Sequence, residues 1–236
     1  MPKIEISVII FFKNTNQDLF HTLDTVARAF NSMHGYVYEI ILVDDGSSNS
    51  ASDLRIFQRN KSIIKIIKLN NSIGISGAIL EGLKYCNFNN ILPIPGHNLF
   101  STEAIINVCS FAEMSRIVIG KRNNYAKNRP LLKIFASSFL SFIYKKYFFP
   151  DVDDIHGLIL FIKQDLNKFG DFKARHGMSV LVVTHVLAEG GLLIKTTAPI
   201  NYNHKNRINR KFTDSFPHFK SILSVIIALK KAYRIL

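Results

Sequence analysis

The sequence predicts an α/β fold with a mainly parallel central sheet flanked by helices, on three observations. Strand-like runs alternate with helix-period stretches along the first hundred residues. Several of those runs are almost continuously apolar, the pattern of strands buried on both faces. The runs also end in glycine-rich or polar turns, the punctuation that closes a buried strand.

The elements follow in order. Lys3–Phe12, "KIEISVIIFF", reads as a first buried strand. Asp18 to Phe30 carries Leu19, Leu23, Val26 and Phe30 at helix spacing. "YEIILVDDG" is a second strand and Ser62–Asn70 a third, enriched in β-branched residues. "SGAILEGLKYC" is a short helix after a glycine loop, and "NNILPIPG" a fourth strand. Parallel strands need crossover connections, and ligands of such sheets gather at the carboxyl ends of the strands. Asp44, Asp45, the loop from Asn71 to Gly77 and the turn from Gly96 to Asn98 are all expected at that rim.

A chain of 236 residues with 47% hydrophobic and 20% charged residues can bury one large core. Cys86 and Cys109 offer neither a disulfide framework nor a metal spacing, which points to a reducing compartment. The first residues run straight into a strand, so no signal peptide is expected. No run reaches the roughly 18 to 20 apolar residues of a membrane-spanning helix. The net charge of +13 is unevenly placed: residues 1–115 carry 9 Lys and Arg against 10 Asp and Glu, and residues 116–236 carry 21 against 7. A neutral half beside a cationic half points to an anionic partner such as phosphate, acidic lipid or nucleic acid.

Two adjacent carboxylates after a buried strand can meet ligand hydroxyls, base N–H groups or a metal. They can equally be structural, with Asp45 bonding the Gly46–Ser47 turn and capping a helix.

Taken together, "ISVIIFF", "EIILVDDGSS", "NNSIGISGAILEGLKYC" and "ILPIPGHN" resemble the inverting family 2 glycosyltransferases, with their GT-A type fold. The nearest branch is that of the dolichol- and polyprenyl-phosphate sugar transferases. "IVIGKRNNY", "DVDDIHGLILF" and "APINYNHKNRINRKF" follow in that branch's order, so the resemblance covers nearly the whole chain. It implies that Asn14, Asp44, Asp45 and Ser47 hold the nucleotide of a sugar donor. Asn71, Gly74 and Gly77 would let a backbone approach the diphosphate. It also implies Mn²⁺ or Mg²⁺ bridging the donor phosphates.

The chain departs from that pattern in two places. Pro95-Gly96-His97-Asn98 stands where the family carries Asp-x-Asp or "PGDN", so His97 replaces the expected metal aspartate. Either His97 and Asn98 ligate the metal, or His97 meets the diphosphate itself, or the site is inactive. After the first strand Asn14 is kept, but Thr15 replaces the expected acid, which leaves the base open.

On the acceptor side the resemblance places an acid before a glycine, which fits Asp154, or Asp153 in a variant spacing. Either would serve as the base if the acceptor is a hydroxyl, and a polyprenyl phosphate needs none. Arg122, Arg129, Lys205, Arg207 and Arg210 would hold phosphates. Residues 1–215 form the expected catalytic domain and 216–236 a C-terminal amphipathic basic helix. That helix fits a membrane interface, a core or a dimer contact equally by its periodicity, and the Phe-rich stretch after Pro130 tilts the reading toward the surface of an anionic membrane. The reading is a transferase peripheral to the cytoplasmic face of a membrane, moving sugar from a nucleoside diphosphate to a polyprenyl phosphate or lipid-linked acceptor. Its rivals are transfer to a saccharide hydroxyl in cell-surface polysaccharide synthesis, and a catalytically impaired donor-binding relative. Nucleic acid is not an expected partner, because the basic runs lack aromatic interleaving.

Overall fold

Among the described residues twelve elements form, and their sheet carries the site along one rim. The structure, a computed structural model, describes residues 3–14, 17–48, 63–123, 138–139, 141–146, 151–152, 154–167, 169, 175–201 and 225. Asp153, Arg129, Lys205, Arg207 and Arg210 lie outside the described residues, as does the segment 216–236 apart from Val225.

The first half alternates strand and helix: β1 (Ile4–Phe12), α1 (Gln17–Ser32), β2 (Tyr36–Asp44), β3 (Ile64–Lys68), α2 (Gly74–Leu83), β4 (Asn90–Pro95) and α3 (Thr102–Cys109). Then come β5 (Ile117–Asn123), β6 (Leu158–Ile162), α4 (Lys163–Asn167), α5 (Met178–Ala188) and β7 (Leu193–Pro199). The seven strands lie in the order β3-β2-β1-β4-β6-β5-β7. β6 runs antiparallel to β4 and β5, while the other neighbouring pairs are parallel.

Period-two alternation splits β1 between two cores. Ile9 joins Ile41, Val43, Ala78, Leu83 and Val182 on the α2–α5 face. Val8 and Ile10 join Leu23, Val26, Leu92 and Val108 on the α1–α3 face. A central parallel strand covered on both sides has no polar face, which is why β1 and β2 read as unbroken apolar runs. α2 packs closely on the sheet at Gly82, where a Cβ would stand 2.8 Å from Ile9 Cγ2 and 3.0 Å from Val43 Cγ2. α3 starts on Ser101, whose hydroxyl accepts from the Ala104 N–H at 3.2 Å.

One polar knot interrupts this apolar interior. Glu39 on β2 accepts from Ser7 Oγ at 2.7 Å, from Asn87 Nδ2 at 2.9 Å and from Lys65 Nζ at 3.3 Å. Burial works to raise its carboxyl, but the Ser7 hydroxyl, the Asn87 N–H and Lys65 outweigh burial and hold the group below the usual range.

This topology assembles the site. The carboxyl ends of β1, β2 and β4 share one rim, and the reversed β6 begins at that rim, with Leu158 paired to Gly120 of β5. Gly157, just before β6, has to be glycine: a Cβ there would lie 2.1 Å from the Gly120 carbonyl oxygen.

Two outcomes check this description. Glu39→Ala takes away the acceptor of the fully buried Ser7 O–H, which keeps the Phe88 N–H as a donor to its oxygen, and should cost about 1–3 kcal/mol in urea unfolding. Gly157→Ala should cost about 1–3 kcal/mol or more, because backbone rather than a flexible side chain has to yield.

Candidate functional site

The end of β2 presents one carboxylate with a spare oxygen. Asp44 is fully buried. Its Oδ1 accepts from the Ser47 N–H at 2.9 Å and from the Ser47 hydroxyl. Its Oδ2 is buried and has no hydrogen-bond partner among the described residues. A buried anionic oxygen left bare is costly, so its persistence points to a ligand donor. Asn14, at φ 51°, ties the β1 loop to the same turn. Its N–H donates to Ser47 Oγ at 2.8 Å, and its Oδ1 accepts from the Ser48 N–H at 3.0 Å.

Asp45 does the structural job. Its oxygens accept from Ser72 Oγ at 2.7 Å, from the Ile73 N–H at 2.7 Å and from the Gly74 N–H at 3.1 Å, and so cap the start of α2. The two aspartates thus divide the capping and turn-holding roles that the sequence suggested for Asp45 alone. Gly46, at φ +69°, completes the turn, where a Cβ would fall 2.7 Å from the Ser72 nitrogen. Asn71 is exposed at the mouth of this loop. The space beside Gly74, at φ +86°, is filled by Arg175, whose Cβ would be 2.7 Å from an added side chain; Gly77 faces the Ile73 side chain.

Arg175 is a residue that the sequence reading missed. Its Nη2 donates to Ser72 Oγ at 3.1 Å, and its carbonyl accepts from the Ser76 N–H at 3.0 Å. The available signal was the basic pair before a glycine and an apolar helical run, "ARHGMSVLVV".

His97 follows β4 and lines a cavity of about 300 Å³ on the sheet face between α2 and α5. Asn98, at φ 47°, turns away from it. Its Oδ1 accepts from Thr25 Oγ1 and Asn201 Nδ2, each at 3.1 Å, while its N–H donates to Thr22 Oγ1 at 2.8 Å.

Across the rim, Asp154 and Arg122 are a single unit. Arg122 Nε donates to Oδ2 at 2.8 Å and Nη2 to Oδ1 at 2.7 Å, and the Arg122 backbone N–H adds a bond to Oδ2 at 3.1 Å. The side chains are 5% and 15% exposed, so the pair is nearly dry. Burial works to raise the Asp154 carboxyl, but the Arg122 bonds and charge, helped by His156, outweigh it and hold the group below the ordinary value.

The profile described as "Glycosyl transferase family 2" matches residues 7–170, more than half of the chain. The chain belongs to glycosyl transferase family 2.

This family 2 chain is 29% identical over 117 residues to an undecaprenyl-phosphate 4-deoxy-4-formamido-L-arabinose transferase of Edwardsiella ictaluri. The match covers 49% of this chain and 36% of that protein, so it spans little more than a third of the relative's length. Among solved structures, a mannosyl-3-phosphoglycerate synthase from Rubrobacter xylanophilus superposes with a TM-score of 0.68 at 10% identity, covering 99% of this chain and 76% of that one. The Pyrobaculum calidifontis mannosyltransferase PcManGT, crystallised with GDP-Man and Mn²⁺, gives a TM-score of 0.62 at 13% identity, over 98% and 75%. These neighbours establish the GT-A fold.

The rim donors do not fit a resident Mg²⁺ or Mn²⁺ cage. Hard cations want several oxygen ligands, and Asp45, Asp154 and the Asn98 amide are already engaged. Among the described rim residues that leaves the bare Asp44 oxygen and the His97 nitrogen, on strand ends separated by β1. Asp165, His185 and Glu189 do come within 4.8 Å of one another, but they sit at the opposite end of the sheet. There Arg116 already supplies the cation, bonding Asp165 and reaching Glu189 Oε2 at 2.9 Å.

Arg122→Ala would leave Asp154 as a buried anion with only backbone partners, and should destabilise the fold by about 3–5 kcal/mol. Because the folded pKa of Asp154 is depressed, the pair's stabilisation is complete above the ordinary value of 3.8 and is lost as pH falls through the folded value. The gap between native and variant melting temperatures should therefore be wide at neutral pH and close on acidification.

Proposed function

We propose that this chain transfers a sugar from a nucleoside diphosphate to a polyprenyl phosphate or related lipid phosphate, with inversion at the anomeric carbon. The observation that carries the acceptor class is the bidentate Arg122–Asp154 pair. A saccharide hydroxyl must lose its proton as it attacks, and the base that takes it works best with a pKa near the working pH. Asp154 is held far on the acidic side of that range by Arg122. A phosphate oxygen carries its negative charge already and attacks without a base, so this rim suits an anionic nucleophile.

On the donor side, Asp44 Oδ2 is the acceptor for a base N–H, with Asn14 and Ser47 fixing the turn that holds it. Asn71 lies on the neighbouring loop and Gly74 and Gly77 in the first turn of α2, and Arg175 adds a cation beside Ser72. Asp153, Arg129, Lys205, Arg207 and Arg210 keep their proposed acceptor-side roles on the strength of the sequence resemblance. Were Mn²⁺ or Mg²⁺ to come in on the diphosphate, His97 would be the residue to touch it and Asn98 only after its amide turned, but the described rim residues offer no oxygen cage for such a cation. In the transfer itself, the bond from the anomeric carbon to the acceptor oxygen forms as the bond to the donor diphosphate breaks. The electron pair leaves with the nucleoside diphosphate.

A membrane surface would supply the lipid acceptor. No helix among the described residues is long and apolar enough to cross a membrane. Phe139 and Phe142 are 52% and 61% exposed, while the neighbouring Tyr144 is anchored to Thr184 Oγ1 at 3.0 Å. An apolar pair held outward beside Lys145 and Lys146 suits peripheral attachment to anionic lipid, on the cytoplasmic side where nucleotide sugars are made. Products on this route serve cell-envelope polysaccharide synthesis.

Purified chain incubated with labelled UDP- and GDP-sugars should label undecaprenyl phosphate in detergent and leave free oligosaccharides unlabelled. Labelling of the oligosaccharide alone would overturn the acceptor assignment. Asp44→Asn replaces the bare oxygen with an N–H₂ donor and should weaken nucleotide binding by about tenfold or more, read by calorimetry.

A further inference from the structure

We propose that His97, His156 and His176 form a phosphoryl-binding pocket that does the work of a divalent cation at the reacting centre. This inference rests on the transferase reading above and deepens it. The three imidazoles come from three separate segments, after β4, before β6 and before α5, yet all line the same cavity of about 300 Å³. Most of its remaining wall is apolar, with Phe11, Ile79, Phe100 and Phe161 among the lining side chains. No Asp, Glu, Lys or Arg lines it among the described residues. An anion entering such walls needs N–H donors to replace its water, and each imidazole can donate one.

The same walls are wrong for a hard cation, which needs oxygen ligands. Asp154, the carboxylate nearest to His156 in sequence, has both oxygens engaged by Arg122, and Oδ1 also accepts the His156 backbone N–H at 3.3 Å. The three histidines are not among the residues whose ligand atoms cluster tightly enough to share one ion. They surround a volume rather than converge on a point, which matches a multi-atom anion.

The start of α5 adds donors from the backbone. Its N-cap is Gly177 at φ +105°, with no side chain to cap the first turn. The Met178 N–H donates to Ser76 Oγ at 3.3 Å, while the Gly177 N-cap has no side chain to offer the N–H groups that follow. Met178 and Ser179 also line the cavity. The positive end of the helix therefore faces the chamber that holds the three imidazoles.

Two phosphoryl groups meet in this reaction, the donor diphosphate and the acceptor phosphate, and their shared chemistry is what the pocket recognises. Calorimetry in EDTA with inorganic pyrophosphate, UDP, GDP and farnesyl phosphate separates the two sources, using the full chain and His97→Ala, His156→Ala and His176→Ala, which remove the N–H donors. At least one phosphoryl probe should bind without metal, and each substitution should weaken it by about tenfold. Weakening confined to pyrophosphate and the nucleotides assigns the pocket to the leaving diphosphate. Weakening confined to farnesyl phosphate assigns it to the acceptor.

Should a variant fail to fold, the native chain gives an independent reading. Pyrophosphate or farnesyl phosphate should shift the imidazole ¹⁵N resonances of these three histidines. Binding that requires Mn²⁺, or probe binding that neither shifts the imidazoles nor responds to the substitutions, overturns the pocket. If UDP or GDP still binds in that situation, the transferase reading stands without it. If no nucleotide binds but the imidazoles respond to farnesyl phosphate or pyrophosphate, the pocket stands and the donor reading falls.

Discussion

Between β5 and the turn before β6, Arg122 and Asp154 are buried together, and the pair decides what the acceptor side of the rim can be. Removing two charges from water is costly, and the cost is offset only when geometry and extra hydrogen bonds are good. Here the fork of the arginine matches both carboxylate oxygens, and two backbone N–H groups finish the set. The arrangement depends on the sheet beneath it. β6 has to run against β5 to bring Gly157 under the Gly120 carbonyl, and no side chain fits between them. A pair this well satisfied is a poor proton acceptor and a rigid wall.

The donor side uses the opposite logic. Asp44 is buried like Asp154, but one of its oxygens is left bare, while Asp45 spends both of its own on the start of α2. Three rim carboxylates therefore have three different jobs, set by their partners rather than by their chemistry. One closes a loop, one fixes a wall, and one is available to a ligand. With His97 in place of an acid and the Asn98 amide turned to Thr25 and Asn201, the proposed reading leaves the charge of the phosphates to N–H donors.

The sheet was largely legible in the sequence, because strands buried on both faces carry no polar residues to blur their pattern. Ile40 to Val43 and Val8 to Ile10 illustrate this. The glycine and aspartate turns then marked the rim, and family motifs in the same order pointed to the fold that the solved neighbours share. The individual roles were less legible. Asp154 and Arg122 are 32 residues apart, and each alone reads as a ligand-binding group; only the reversed β6 makes them partners. Asn98 looked like a ligand because its φ of 47° and the inward turn of its amide have no trace in sequence. His176 and Arg175 escaped notice because they sit beside a glycine N-cap, a signal that marks a helix start and says nothing of what the helix faces.

The central claim is that Asp154 is a locked carboxylate and not the base of the reaction. Its direct test is a ¹³C titration of protein labelled at the aspartate carboxyls, with the Asp154 resonance identified from its absence in Asp154→Asn. The account predicts that this carboxyl stays ionised as pH falls through the ordinary aspartate range and titrates only below it. A carboxyl that takes up its proton near neutral pH would be poised as a base, and would contradict the claim.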